Sequence, residues 1–337
     1  MPDDAGWRRL QPLRDSDDGL GFINVMLRWN HADNFTRFRV MRVSTSERYS
    51  ETSTAIQNAQ QQMYTLQQEI STGKRINQPS DDPNGTFQSL GLTSLQNTLT
   101  QYNSNLSYAQ GFLQSSDNAL NSTNSLVTQA YTLAVQAANS STPQSAMAGM
   151  ATQIAQMQQQ IVSLANSQGS DGQYLFAGQK TQAAPFTVSA AALVYSGDTN
   201  NVTVASGPGQ TMAINTQAGS MYTTLYSQLE TLKNDLSSGN VSALSNVDIA
   251  NLQSSENTIL QARGAIGGNL QQVTSLTSTN TLRTTDLTTQ ISNLTDANIA
   301  QVATAYQSAS TVYQAALTMA GQISTLSLAN YIQAPAG

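Results

Sequence analysis

Two short stretches of this 337-residue chain bring reactive side chains close enough to do chemistry. Ser71-Thr72-Gly73-Lys74-Arg75 has the flavour of a phosphate-binding loop, in which glycine backbone and a lysine cradle phosphate oxygens. It lacks the first glycine of that loop and its Lys-Ser/Thr ending. The stretch therefore reads as a helix end, with basic residues near the negative pole of the helix dipole. Asp81 and Asp82 are adjacent carboxylates, a pairing that acid and base catalysis can use. With Ser80 before them and Pro83 after, they fit a helix N-cap followed by proline in the first turn. His31 is the one imidazole and Cys is absent, which removes disulfides, thiolate nucleophiles, Cys zinc sites and almost every imidazole-based catalytic arrangement. No glycine-rich nucleotide fingerprint, metal-ligand cluster or nucleophile elbow is present. The residues point away from an enzyme and imply neither a cofactor nor a metal.

Composition explains what the elements around these residues must do. Charged side chains are 10% of the chain, against roughly 25% in an ordinary soluble protein, and Ser, Thr, Asn and Gln stand in their place. The net charge of −6 leaves no basic field for nucleic acid or an anionic membrane. Residues 1–40 are different in kind: they hold both Trp, the His and six of the fourteen basic residues, and their charges cancel. That extension is expected to lie upstream of a true start at Met41. Its acidic beginning and the Asn24 that interrupts Phe22 to Leu27 do not make a secretory signal.

From Met41 onward the pattern is helical. Steps of three and four residues from Leu92 through Leu95, Leu99, Tyr102, Leu106, Ala109, Leu113, Ser116, Leu120, Thr123, Val127, Ala130, Ala134 and Ala137 are apolar except at Ser116 and Thr123. Shorter seams run through Ile56, Ala59, Met63, Leu66 and Ile70, and from Met147 to Leu164. Tyr222 to Leu236 carries another, and Leu252, Ile259, Ile266, Leu270 and Val273 keep the spacing less strictly. The last seam, Val302, Ala305, Ala309, Val312, Ala316, Met319, Ile323 and Leu326, is apolar throughout, and its three Ala let a partner helix approach closely. No charge follows Asp296, yet Asn, Gln, Ser and Thr are scattered too evenly for a lipid-facing helix. Burial against other helices, including those of other subunits, is the expectation.

Between about 176 and 221 the pattern changes to alternation. Thr187-Val188, Leu193-Val194-Tyr195, Val202-Thr203-Val204 and Met212-Ala213-Ile214 are strand candidates, separated by Ser196-Gly197-Asp198 and Ser206-Gly207-Pro208-Gly209 turns. The fold expected is mainly α, with long paired helices from the N- and C-terminal arms forming a coiled-coil-like bundle around a small β-rich insertion. Its parts would be an inner helix and loop over 41–85, a helical arm over 86–170, the insertion over 171–221, a returning arm over 222–290 and a C-terminal inner helix over 291–337.

Met41-Arg42-Val43-Ser44-Thr45 and the run from Gln68 to Pro83 resemble the N-terminal signature of the bacterial flagellin superfamily. Leu133-Ala134-Val135-Gln136-Ala137-Ala138-Asn139 is similar to a second phrase of that family. Gly172-Gln173-Tyr174-Leu175-Phe176-Ala177-Gly178, Pro185-Phe186 and Tyr195-Ser196-Gly197-Asp198 resemble its hook-associated branch more than flagellin itself, as do Ala315-Ala316-Leu317 and the run from Ile323 to Ile332. The resemblance covers 41–334. It implies a structural subunit at the junction of flagellar hook and filament, exported unfolded and without a cleaved signal to the extracellular flagellum. The partners implied are copies of itself in a ring, flagellin, another hook-associated protein on the hook side and an export chaperone, with no nucleic acid and no membrane insertion. It also implies inner helical contacts made by Ile56 to Ile70 and Val302 to Leu326. Flagellin itself, or a secreted coiled-coil translocator or adhesin, are the alternative readings.

Overall fold

A computed structural model describes residues 45–139 and 141–332, with side chains at 45, 324 and 326–332 left out. The extension 1–40 and the Met41 start lie outside the described residues. The chain divides into two compact units, residues 55–318 and residues 1–54 with 319–337. The described parts of the second unit, 45–54 and 319–332, are helical.

The larger unit is built on two very long helices, α2 (Pro83–Ala137) and α6 (Ile249–Thr295), which pack along each other. Cross-links fix them as antiparallel. Gln96 Nε2 donates to Thr288 Oγ1 at 2.9 Å, Arg263 Nε to Asp117 Oδ1 at 2.8 Å, and Gln253 Nε2 to the Tyr131 hydroxyl at 3.3 Å. The seam of α2 is buried from Leu99 onward apart from half-buried Tyr102, while Leu95 is exposed. Its two polar positions are buried too: Ser116 Oγ and Thr123 Oγ1 donate to the Phe112 and Ala119 carbonyls four residues back, which satisfies them inside the helix.

On α6, the loose spacing expected from the sequence proves to be a strict seven-residue stripe, with Leu252, Ile259, Ile266, Val273, Asn280 and Leu287 buried. The helix also continues past the apolar residues, through a Thr-rich stretch. There Thr281, Thr284, Thr285, Thr288 and Thr289 each return a hydroxyl to the carbonyl four residues earlier. Helices α3 (Gln144–Ala165) and α4 (Gly219–Ser238) pack together beside this pair. Met147 to Ile161 on one and Tyr222, Leu225, Leu229, Leu232 and Leu236 on the other supply the apolar stripes. A short α5 (Val241–Ala243) and a π-turn (Leu244–Asp248) turn the chain from α4 into α6.

The insertion is two separate antiparallel hairpins: β1 (Phe186–Ser189) with β2 (Ala192–Tyr195), and β3 (Thr203–Gly207) with β4 (Gln210–Ala213). Val202 and Ile214, expected within strands, fall just outside them. The Ile214 amide still donates to the Val202 carbonyl at 2.9 Å, but the Val202 amide turns to the Asn215 side chain, and there the ladder ends. The second hairpin lies on α2, where Asn105 Nδ2 donates to the Ala205 carbonyl at 2.9 Å. The remaining helices are α1 (Thr45–Thr72) and α7 (Ile299–Ile332).

Candidate assembly surface

The loop between α1 and α2 ties four helix ends together. Gly73, at φ 70°, ends α1 in the left-handed region that glycine tolerates best. Its carbonyl accepts from the Ala297 amide at 2.9 Å, and the Arg75 amide donates to the Thr295 carbonyl at 2.7 Å, so the end of α1 pairs with the corner joining α6 to α7. The Arg75 guanidinium donates to the Leu294 carbonyl at 2.8 Å and to Asp82 Oδ2 at 3.2 Å. Arg75 thus serves a helix corner.

Asp81 and Asp82 have separate backbone roles. Asp82 caps α2 by accepting from the Gly85 amide at 2.9 Å, with Pro83 in the first turn. That amide and then Arg75 hold its carboxyl below the ordinary range. Asp81 accepts from the Asn77 and Gln78 amides at 2.9 and 2.8 Å and closes the loop. Among the described residues no cluster of His, Cys, Asp or Glu could hold a metal, and no helix is long and apolar enough to cross a membrane.

The residues read as helix contacts divide by accessibility. Ala59, Val302, Ala309 and Ala316 are buried, and Ile56, Met63, Leu66, Ala305 and Ile323 are half-buried. Ile70, Val312 and Met319 are exposed, the last two at 58% and 62%. The Leu326 side chain lies outside the described residues. On α7 the buried positions recur every seven residues while Val312 and Met319, the alternate positions of the same stripe, face outward. The stripe is wider than the chain covers.

Further apolar side chains, none of them read as a helix contact, are exposed as well. Phe87 is 79% exposed, and Leu90, Leu282, Leu317 and Tyr64 are also exposed. Phe87 and Leu90 lie off the seam of α2 that starts at Leu92, and such apolar residues off the buried stripe were the signal that could have marked them. A shallow groove beside them is lined by Gln88, Gly91, Leu92, Gln290, Asn293 and Leu294, without a charge.

The phrases of the insertion meet in space. The Tyr195 hydroxyl donates to the Phe176 and Asp198 carbonyls at 3.1 and 2.7 Å, and the Asp198 amide donates to the Ala177 carbonyl at 3.1 Å. Gly178, at φ 66°, has no room for a Cβ beside Asp198, whose carboxylate accepts from the Gln179 and Asn200 amides at 3.0 Å. These bonds pull that carboxyl below its ordinary range.

The family described as the bacterial flagellin N-terminal helical region matches residues 43–181. Flagellar hook-associated protein 3 of Salmonella typhimurium is 28% identical over 292 residues, which cover 79% of this chain and 92% of that protein. The Escherichia coli protein of the same name is also 28% identical, over 315 residues covering 86% and 98%. The solved structure of a flagellar hook-associated protein from Vibrio parahaemolyticus matches with a TM-score of 0.61 at 23% identity, over 64% of this chain and 100% of that one. At that identity the likeness speaks for the fold. Residues 43–181 thus match the N-terminal helical region of bacterial flagellins, and the chain is similar over most of its length to flagellar hook-associated protein 3.

Proposed function

We propose that this chain is a structural subunit of the bacterial flagellum, placed at the junction between hook and filament, with no catalytic role. The observation that carries the reading is similarity over nearly the whole length of two proteins named flagellar hook-associated protein 3. An exposed apolar surface along the terminal helices, with few charges near it, supports assembly with flagellar components. On this reading copies associate in a ring, with flagellin on one side and another hook-associated protein on the other. The chain is exported to the extracellular flagellum without a cleaved signal, with an export chaperone as a further partner. Residues Ile56 to Ile70 and Val302 to Leu326 make the inner helical contacts.

Deleting the gene tests the proposal. The expected phenotype is loss of motility, with hooks that lack attached filaments and flagellin released into the medium. Full filaments in the deletion strain would overturn the junction role and favour a secreted coiled-coil protein.

A further inference from the structure

Asp248 closes the π-turn Leu244–Asp248 and is 1% exposed. Neither of its carboxylate oxygens has a hydrogen-bond partner. An ionised carboxylate in such a place is costly, because it has lost water and gained no donor. The turn packs on α2, α4, α5 and α6. From α4, Asp235 is the charged group that acts on it. Asp235 in turn accepts from Asn240 Nδ2 at 3.2 Å. The other charges nearby on α4, Glu230 and Lys233, are paired at 2.6 Å. Past Asp117, which pairs with Arg263, α2 has Tyr131 as its one titratable side chain. Val241–Ala243 has none, and the first charge on α6 is Glu256, about two turns on. No cation is among the groups acting on Asp248.

We propose that this corner is a pH-sensitive latch: with a proton Asp248 stays buried and donates a hydrogen bond to Asp235, and without it the carboxylate draws the π-turn toward water. The π-turn suits such a device, since it carries an extra residue in the helical ladder and runs from α5 straight into α6 without an intervening loop. Burial, and then the negative Asp235, push the Asp248 carboxyl up to about 6 from an ordinary 3.8. The closed corner therefore binds the proton more tightly than an opened one. Its extra stability is fully present below about 3.8 and is lost as pH rises through about 6.

Amide hydrogen exchange on the full chain at pH 5 and 7.5 tests the latch, read as protection factors over residues 244–252. Protection is expected to fall about tenfold between the two pH values, as linkage between those two proton affinities requires. Asp248→Asn, which keeps the shape and cannot ionise, is expected to remove the fall, and Asp235→Asn to reduce it. Unchanged protection in the wild type, or the same fall in Asp248→Asn, would overturn the latch. So would an equal fall across α2 and α3, which would be global unfolding. If Asp248→Asn does not fold, a tenfold fall undiminished in Asp235→Asn contradicts the proposal by itself.

Discussion

Thr123 Oγ1 donates to the Ala119 carbonyl at 2.8 Å, so in its 3.1 Å contact with Tyr222 the tyrosine hydroxyl must be the donor. Tyr222 is fully buried against Phe176 and Phe186, and burial raises the pKa of its hydroxyl. Removing its acceptor leaves a buried donor unmet. Thr123→Val should therefore cost about 1–3 kcal/mol, whereas removing both groups in Thr123→Val/Tyr222→Phe should cost less than the single change plus Tyr222→Phe. Urea denaturation of the three variants measures the difference. At this scale the sequence showed Thr123 as a polar interruption of an apolar seam, but the tyrosine that makes use of it lies 99 residues away. The Asp82 cap was readable because capping is local, with Pro83 beside it. The Arg75 contact with Leu294 spans 219 residues and depends on a corner that no local pattern announces.

Among the elements, long helices were the most legible because apolar spacing repeats over many turns. The second half of α6 was less so, since Asn280 occupies the buried stripe and threonines surround it. The β1–β2 hairpin turns on Ala190 and Ala191, both at positive φ of 49° and 62°, where Asn-Gly would have given the usual signal. What periodicity alone cannot separate is which apolar positions a chain covers itself and which it leaves for a neighbour. On α7 that division gives a clean experiment. Ala309 is buried within the chain, so a charge there disturbs folding as well as assembly. Val312 is exposed, so Val312→Glu should leave the circular dichroism spectrum and melting temperature unchanged while abolishing incorporation into flagella. Complementation of a deletion strain, scored by motility and by immunoblot of sheared flagella, reads both parts. Normal incorporation would remove Val312 from the contact surface.

For the whole molecule, scarcity of charge acquires a physical reason. From residue 41 onward there are eight basic residues and no His, Cys or Trp. Helices that meet neighbours on more than one side lose water from most of their surface. Amides and hydroxyls tolerate that at lower cost than ions, because a hydrogen bond restores them and an unpaired charge is left stranded. The three ion pairs described are partly exposed and are worth little to stability; apolar stripes and side-chain hydrogen bonds between helices hold the unit together. The place proposed for the protein is the boundary of hook and filament. Immunogold electron microscopy of purified hook-filament assemblies, using antibody raised to the β1–β4 insertion, tests it most directly. A single band of gold at the boundary of hook and filament is the predicted result, and labelling along the length of the filament would contradict it.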